Sequence, residues 1–172
     1  MNPPLVAAYE PKYYPLHIAL LSCGENLMPM GSWLVISKEP FRFIIAMQKG
    51  NHTLSLLRKY GEAALHFMPW RERELVVRAG YMSGSFTDKA RKLGLTLRPA
   101  EKLLHTRLVE GADNIFETVV LQELPDLSHE YVLFVLEVVA VHGETLPTQR
   151  EPILFLNEYD FATLGERWRF RR

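Results

Sequence analysis

Cysteine is nearly absent: the 172 residues hold one, Cys23. A lone thiol excludes an intrachain disulfide and fits a reducing compartment. It sits in the apolar run Ile18–Cys23 and reads as a buried structural group. Net charge is absent too, with twenty basic side chains against twenty acidic ones. No global positive field draws the chain to nucleic acid, and the basic tail Arg167–Arg172 is too short to supply one. No uninterrupted apolar span reaches the ~18 residues of a membrane helix. The opening MNPPLVAAYEPKYYPL lacks a basic segment followed by a long apolar core. The expectation is a cytoplasmic protein with neither a membrane nor a nucleic-acid partner.

Catalytic signatures are equally scarce. The ten glycines form neither GxGxxG nor a P-loop, which weighs against a dinucleotide fold and a nucleotide triphosphate site. Gly80–Gly84 reads GYMSG, with its serine one place late for a nucleophile elbow. The six histidines are scattered, without HExxH or cysteine partners, so no zinc site is expected. His66 alternates within a predicted strand and reads as a satisfied structural residue. No general acid or base is assigned.

What is present is strand-forming sequence of ordinary globular composition, 48% apolar and 23% charged, in a length that suits one domain over residues 1–172. Residues 1–15 carry four of the eleven prolines with Tyr9, Tyr13 and Tyr14, and should form an extended arm whose aromatics pack on something. Strands are predicted at Leu16–Cys23, Gly31–Ser37, Phe41–Gln48, Ala63–Met68, Ile115–Leu124, Glu130–His142 and Ile153–Leu156. Asn51 or Thr53 caps a short helix carrying Leu54 and Leu57, which Gly61 stops. A second helix puts Leu75, Val76 and Ala79 on one face. DKARKLG is a basic turn closed by Gly94, and Leu95–Gly111 is expected to be loose. The run EYVLFVLEVVAVH is apolar at odd and even positions alike, so both of its faces should be covered. Brief helices among dominant strands argue for a mainly β fold, a closed or half-closed antiparallel barrel.

The informative stretch is Asn26–Thr53, NLMPMGSWLVISKEPFRFIIAMQKGNHT. It reads as an irregular turn, a strand, a Lys-Glu-Pro turn, a second strand and a segment that opens a helix. The Met28–Ser32 turn offers backbone amides and soft apolar side chains. Asn51, His52 and Thr53 offer donors at a helix N-terminus, where an anion is favoured. One ligand with a flat polar ring and a phosphate tail would fit both, although a strand-entry turn and a plain helix cap would carry the same residues.

Three pieces recur together: NxMPxGS followed by SKEP, KGNHT opening a helix, and YMSGSFTDKARKLGLT. In this order they resemble the flavin reductase-like family of FMN-binding split barrels, the group that includes the flavoredoxins. The resemblance runs from about residue 16 to 142, with an echo in EPILFLNEYDFATLG. It implies flavin mononucleotide (FMN) as cofactor, with ring contacts from Met28, Pro29, Met30, Gly31 and Ser32 and a phosphate end at Asn51, His52 and Thr53. Lys49 lies nearby, though on a strand its side chain can face away. Ser83 and Gly84 would approach the ligand, and Lys89 would neutralise phosphate, unless Lys89, Arg91 and Lys92 form a solvated basic face. Two departures stand out: Ser32 where relatives carry an aromatic, with Trp33 one place later, and Asn157-Glu158 where relatives carry glycines. The resemblance further implies a homodimer with each flavin near the subunit boundary. NAD(P)H would be a transient donor passing hydride to flavin N5. A flavoredoxin-like electron carrier, or a split barrel that has lost flavin, would carry the same motifs.

Overall fold

The structure, a computed structural model, describes residues 7–166, so the basic tail lies outside the described residues. Short strands β1 (Leu16–His17) and β2 (Ala19–Cys23) open it, where the sequence suggested one strand. They part because the chain changes sheets at Ile18, whose amide donates to Ile153 O at 2.9 Å. A turn at Gly24, with φ of 61°, leads into β3 (Asn26–Met30). The expected irregular turn is therefore mostly a strand, paired from Ala19↔Met30 to Cys23↔Asn26. It tolerates Pro29 because β3 is an edge strand, where a missing amide donor costs nothing to the ladder.

The strands β4 (Trp33–Lys38) and β5 (Phe41–Gln48) follow, then helix α1 (His52–Tyr60) and β6 (Glu62–Phe67). A 3-10 turn at Trp70–Glu72 leads into α2 (Arg73–Gly80), which buries Val76 and Ala79 and leaves Leu75 half-buried. Helix α3 (Lys89–Leu93) is capped by Asp88 and ended by Gly94. The segment expected to be loose holds a small antiparallel pair, β7 (Leu97–Pro99) and β8 (Arg107–Val109). The link between them is pinned by two buried carboxylates. Glu62 accepts the amides of Leu104, His105 and Thr106, and Glu117 accepts those of Glu101 and Lys102. The long hairpin β9 (Asn114–Leu124) and β10 (Tyr131–His142) follows, and then β11 (Leu154–Asn157) and β12 (Asp160–Ala162).

Seven strands form one antiparallel sheet in the order β3-β2-β6-β9-β10-β5-β4. Its edges, β3 and β4, are consecutive in the chain and joined only by Gly31 and Ser32. A flat sheet of that width would separate its edges by ~29 Å at ~4.8 Å per strand, far beyond the ~10 Å that two linking residues span. The sheet must curl until its edges meet. The packing agrees: Trp33 of β4 lies 5.1 Å from Phe67 of β6, ring centre to ring centre, and Phe67 lies 5.6 Å from Phe116 of β9. Leu21, Ile45, Met47, Leu65 and Phe134 fill the barrel interior. A second sheet, β1-β11-β12, and helix α2 cover the outside near Ile18 and Leu20. On β10 one face is buried, at Val132, Phe134 and Leu136; Leu133 and Val135 on the other are only half-buried, so the expected double cover is incomplete within the chain.

Candidate functional site

Helix α1 begins where β5 runs out. Asn51 caps it in extended backbone, its Oδ1 accepting the Thr53 amide at 2.8 Å, while its Nδ2 donates to Met28 Sδ at 3.1 Å. The same side chain thus fixes the helix start to β3. The His52 amide, at the first helical position, has no acceptor within its own helix. Thr53 is buried, and its hydroxyl accepts from Asn26 Nδ2 at 2.8 Å, which leaves its own proton for another partner. Asn26 Oδ1 is buried without a hydrogen bond.

Facing these groups is the loop after α2. Gly84 lies so close to β3 that a Cβ there would fall 1.9 Å from Asn26 Oδ1 and 3.1 Å from His52 Cδ2. Lys89 reaches back beneath the loop, only 5% exposed, with Nζ donating to Leu27 O at 2.6 Å and Ala79 O at 2.9 Å. Both acceptors are neutral carbonyls, and burial pulls its pKa below the ordinary lysine value. The alternative, a solvated basic face, holds only for Arg91 and Lys92, which are exposed. Asn26, Met28, Asn51, His52, Thr53, Ser83, Gly84 and Lys89 line one cavity of about 330 Å³.

A larger cavity of about 730 Å³ adjoins it, and Gly80 and Tyr81 line both. Pro29, Gly31, Ser32 and Ala46 form its floor and Tyr9, Tyr13, Tyr14, Tyr131, Phe155 and Phe161 its aromatic walls. Gly31 packs against Leu16 and Ile18, with 3.3 Å left to a Cβ. Ser32 extends the β4–β5 pairing, donating its hydroxyl to Ala46 O at 2.7 Å while its carbonyl accepts the Ala46 amide. Gly80 touches Pro29, whose Cγ would sit 2.9 Å from an added Cβ.

Of the residues singled out in the sequence, two line neither cavity. Met30 is buried in the barrel core. Lys49 is exposed and donates to Ser128 O at 2.9 Å, on the far side of the hairpin turn. The sequence reading missed Asn26, Gly80, Tyr81 and the aromatic walls. Asn26 opens the NxMPxGS motif, and Gly80-Tyr81 precede the serine-glycine loop, so the signal was adjacency to recognised pieces. His66, by contrast, is structural: its Nδ1 bonds Leu20 O at 3.0 Å and its Nε2 accepts the Val109 amide at 2.9 Å. Cys23 is buried as well, its thiol donating to Glu62 O, and burial and then Glu62 push its pKa up to about 12.

The two cavities thus meet along Gly80 and Tyr81. The model of the flavin reductase like domain family matches residues 12–164.

The chain belongs to the flavin reductase-like family.

Solved structures similar to this flavin reductase-like domain share its fold. An FMN-binding protein from Thermus thermophilus superposes with a TM-score of 0.85 at 22% identity, covering 99% of this chain and 100% of that one. A flavoredoxin of Desulfovibrio vulgaris does so at 0.81 and 18%, covering 99% and 97%. Nitrilotriacetate monooxygenase component B from Bacillus cereus gives 0.81 and 16%, covering 96% and 99%. Among curated proteins none matches the chain in sequence. The architecture is that of the FMN-binding split barrels, mainly β and antiparallel.

Proposed function

We propose that the chain binds FMN and acts as an oxidoreductase, an NAD(P)H-dependent flavin reductase. The observation that carries this reading is the shared wall: Gly80 and Tyr81 line a cation-bearing cavity and a ring-sized cavity at once. A single molecule with a phosphate at one end and a planar heterocycle at the other spans both. The residues present suit it. Lys89, the Thr53 hydroxyl and the His52 amide supply donors and charge for the phosphate, at a helix N-terminus that already favours an anion. Asn26 Oδ1, buried and without a partner, is the acceptor that a ribityl hydroxyl would satisfy. Gly31 and Gly80 let the backbone that borders the large cavity pack directly on Leu16, Ile18 and Pro29.

FMN, when bound, supplies the hydride chemistry at its N5. The chain would position it: β3 and the Gly31-Ser32 link would hold the ring region, α1 would hold the phosphate end, and the aromatic walls would flank the ring. One observation favours a second reading, that of an electron carrier supplied by a protein partner. Among the described residues, the lining of the large cavity contains no Lys, Arg or His, so a dinucleotide's phosphates would find no cation there.

A homodimer belongs to the proposal. Leu34, Val35 and Ile36 of the edge strand β4 are 63%, 40% and 46% exposed, an apolar edge that isolated domains avoid. The test is an FMN titration of the purified protein followed by its visible spectrum and NADH and NADPH oxidation. Yellow protein that oxidises either nicotinamide supports the reductase, and yellow protein that oxidises neither supports the carrier. Protein that no FMN concentration turns yellow overturns both.

A further inference from the structure

A third cavity, of about 270 Å³, is bordered by the β7–β8 pair, the start of β9 and the end of β10, and shares no lining residue with the other two. Arg98 of β7 stands opposite Leu108 of β8, so their side chains share one face of the pair. Leu108 is fully buried there, packed with Ala64 and Ile115 of the barrel wall. An arginine is therefore turned toward the core side of a two-stranded ladder. It is half-buried, and among the described residues its guanidinium has neither an ion pair nor a hydrogen bond. Burial above all, and with it the Arg98 charge, lowers the pKa of the buried His66, which sets the guanidinium close to that ring. A charge held out of water without a counter-charge is costly, and an anion at Arg98 would relieve that cost.

Two acceptors belong to the same lining. His142, its side chain only 20% exposed, has Nε2 at 2.6 Å from Glu117 Oε1. Burial disfavours the Glu117 charge, but the amides of Glu101 and Lys102 outweigh it and keep the group a carboxylate. Nε2 must then carry the hydrogen of that contact, and in the neutral ring Nδ1 is an acceptor, without a partner among the described residues. Glu110 is the second acceptor, exposed and likewise without an ion pair among the described residues. A plain anion would meet the Glu110 carboxylate and a plain cation the Arg98 guanidinium. A small molecule that carries both signs satisfies all three groups.

We propose that this cavity binds a small zwitterion, an α-amino acid with a short aliphatic side chain. Arg98 takes the carboxylate through its two-pronged donor face, while Glu110 and His142 Nδ1 take the ammonium. Val109, Ala112 and Ile115 give the side chain an apolar wall. Glu117 acts through His142, fixing which ring nitrogen is left to accept. The site stands apart from the flavin cavities and does not rest on the flavin reading.

The test is an NMR titration of isotope-labelled full-length protein, with and without added FMN, at mildly alkaline pH. The probes are L-alanine, propionate, which lacks the ammonium, and ethylamine, which lacks the carboxylate. L-alanine should shift the amides of Ala112 and Gly143 and bind at least about tenfold more tightly than either other probe. Arg98→Gln should weaken L-alanine about tenfold or more. Glu110→Gln should do the same while leaving propionate no weaker, and, as a change to an exposed side chain, it decides the matter where Arg98→Gln fails to fold. Propionate or ethylamine binding as tightly as L-alanine would overturn the proposal. So would shifts that leave Ala112 and Gly143 untouched, no L-alanine binding at any soluble concentration, or undiminished affinity in Glu110→Gln. L-alanine binding that appears only with FMN present would place the probe in the flavin cavities and overturn it as well.

Discussion

Lys89 is the residue on which the ligand reading bears most directly. An ammonium held beneath a loop with only two carbonyls for company is costly in the empty protein, and burial pulls its pKa below 10.5. A dianionic phosphate reverses that cost. Lys89→Met should weaken FMN binding by roughly 10–100-fold, as a lost charge-assisted hydrogen bond of about 1.5–3 kcal/mol requires, measured by fluorescence titration. The sign of the pH dependence follows. The free protein sheds the Lys89 proton earlier than an ordinary lysine, and the bound anion holds it, so FMN affinity should decline as the pH rises toward the ordinary lysine range. In Lys89→Met that decline should vanish. The sequence showed Lys89 only as the cation after a serine-glycine loop. Its burial depends on Leu27 and Ala79, which no local pattern connects to it. Gly84 is a related case. The motif marked it as a close approach to ligand, and the structure shows that the approach is to Asn26. Gly84→Ala should therefore cost FMN affinity by displacing Asn26, with a readable shift in the amide resonances of α1.

At the scale of elements, what local chemistry dictates was legible. The strand Phe41–Gln48 and the helix between Asn51 and Gly61 lie where the apolar pattern and caps put them. What was not legible was set by distant partners. The segment from Leu95 to Gly111 looked loose because its order comes from Glu62 and Glu117 on β6 and β9, whose carboxylates satisfy five of its amides. This arrangement makes the fold sensitive to acid. Burial disfavours the Glu117 carboxylate, but the Glu101 and Lys102 amides and then His142, at 2.6 Å, outweigh it and hold its pKa below the ordinary value. Its contribution is present above the ordinary carboxylate range and is lost as the pH falls through the depressed value. His66 acts earlier. Burial lowers its pKa from 6.5 to about 4, so it is neutral in the fold and protonated in the unfolded chain between those values. His17, lowered to about 4 by burial and then by Arg150, acts in the same sense. Stability in urea should be full above pH 6.5 and fall steadily toward pH 4, with His66 alone accounting for roughly 3 kcal/mol at the lower end. A urea midpoint that does not move between pH 7 and pH 4.5 would contradict this.

For the whole molecule, the mainly β character and the split-barrel class were legible from strand density and from three short motifs in order. The strand order that achieves the expected closure was not, because it depends on β3 and β4 being both neighbours in sequence and opposite edges of one sheet. Nor was the exposure of β4, which reads as an ordinary half-buried strand until its place at the edge is known. The dimer proposal makes a mass prediction: light scattering at micromolar concentration should give about twice 19.9 kDa. Ile36→Glu, which puts a charge on the exposed edge, should return the single-chain mass without unfolding the barrel.

The two-residue link Gly31-Ser32 is at once the hem that joins the cylinder's edges and a patch of the ligand's bed. A cofactor lying across it would work as a clasp as well as a redox centre. Amide hydrogen exchange at Ala46, whose N–H is held by Ser32 O at 2.9 Å, should slow when FMN is added, while exchange in the β7–β8 pair stays as it was. Redox chemistry and mechanical integrity would then share one fastening, and depleting a cell of flavin would loosen the protein as well as idle it.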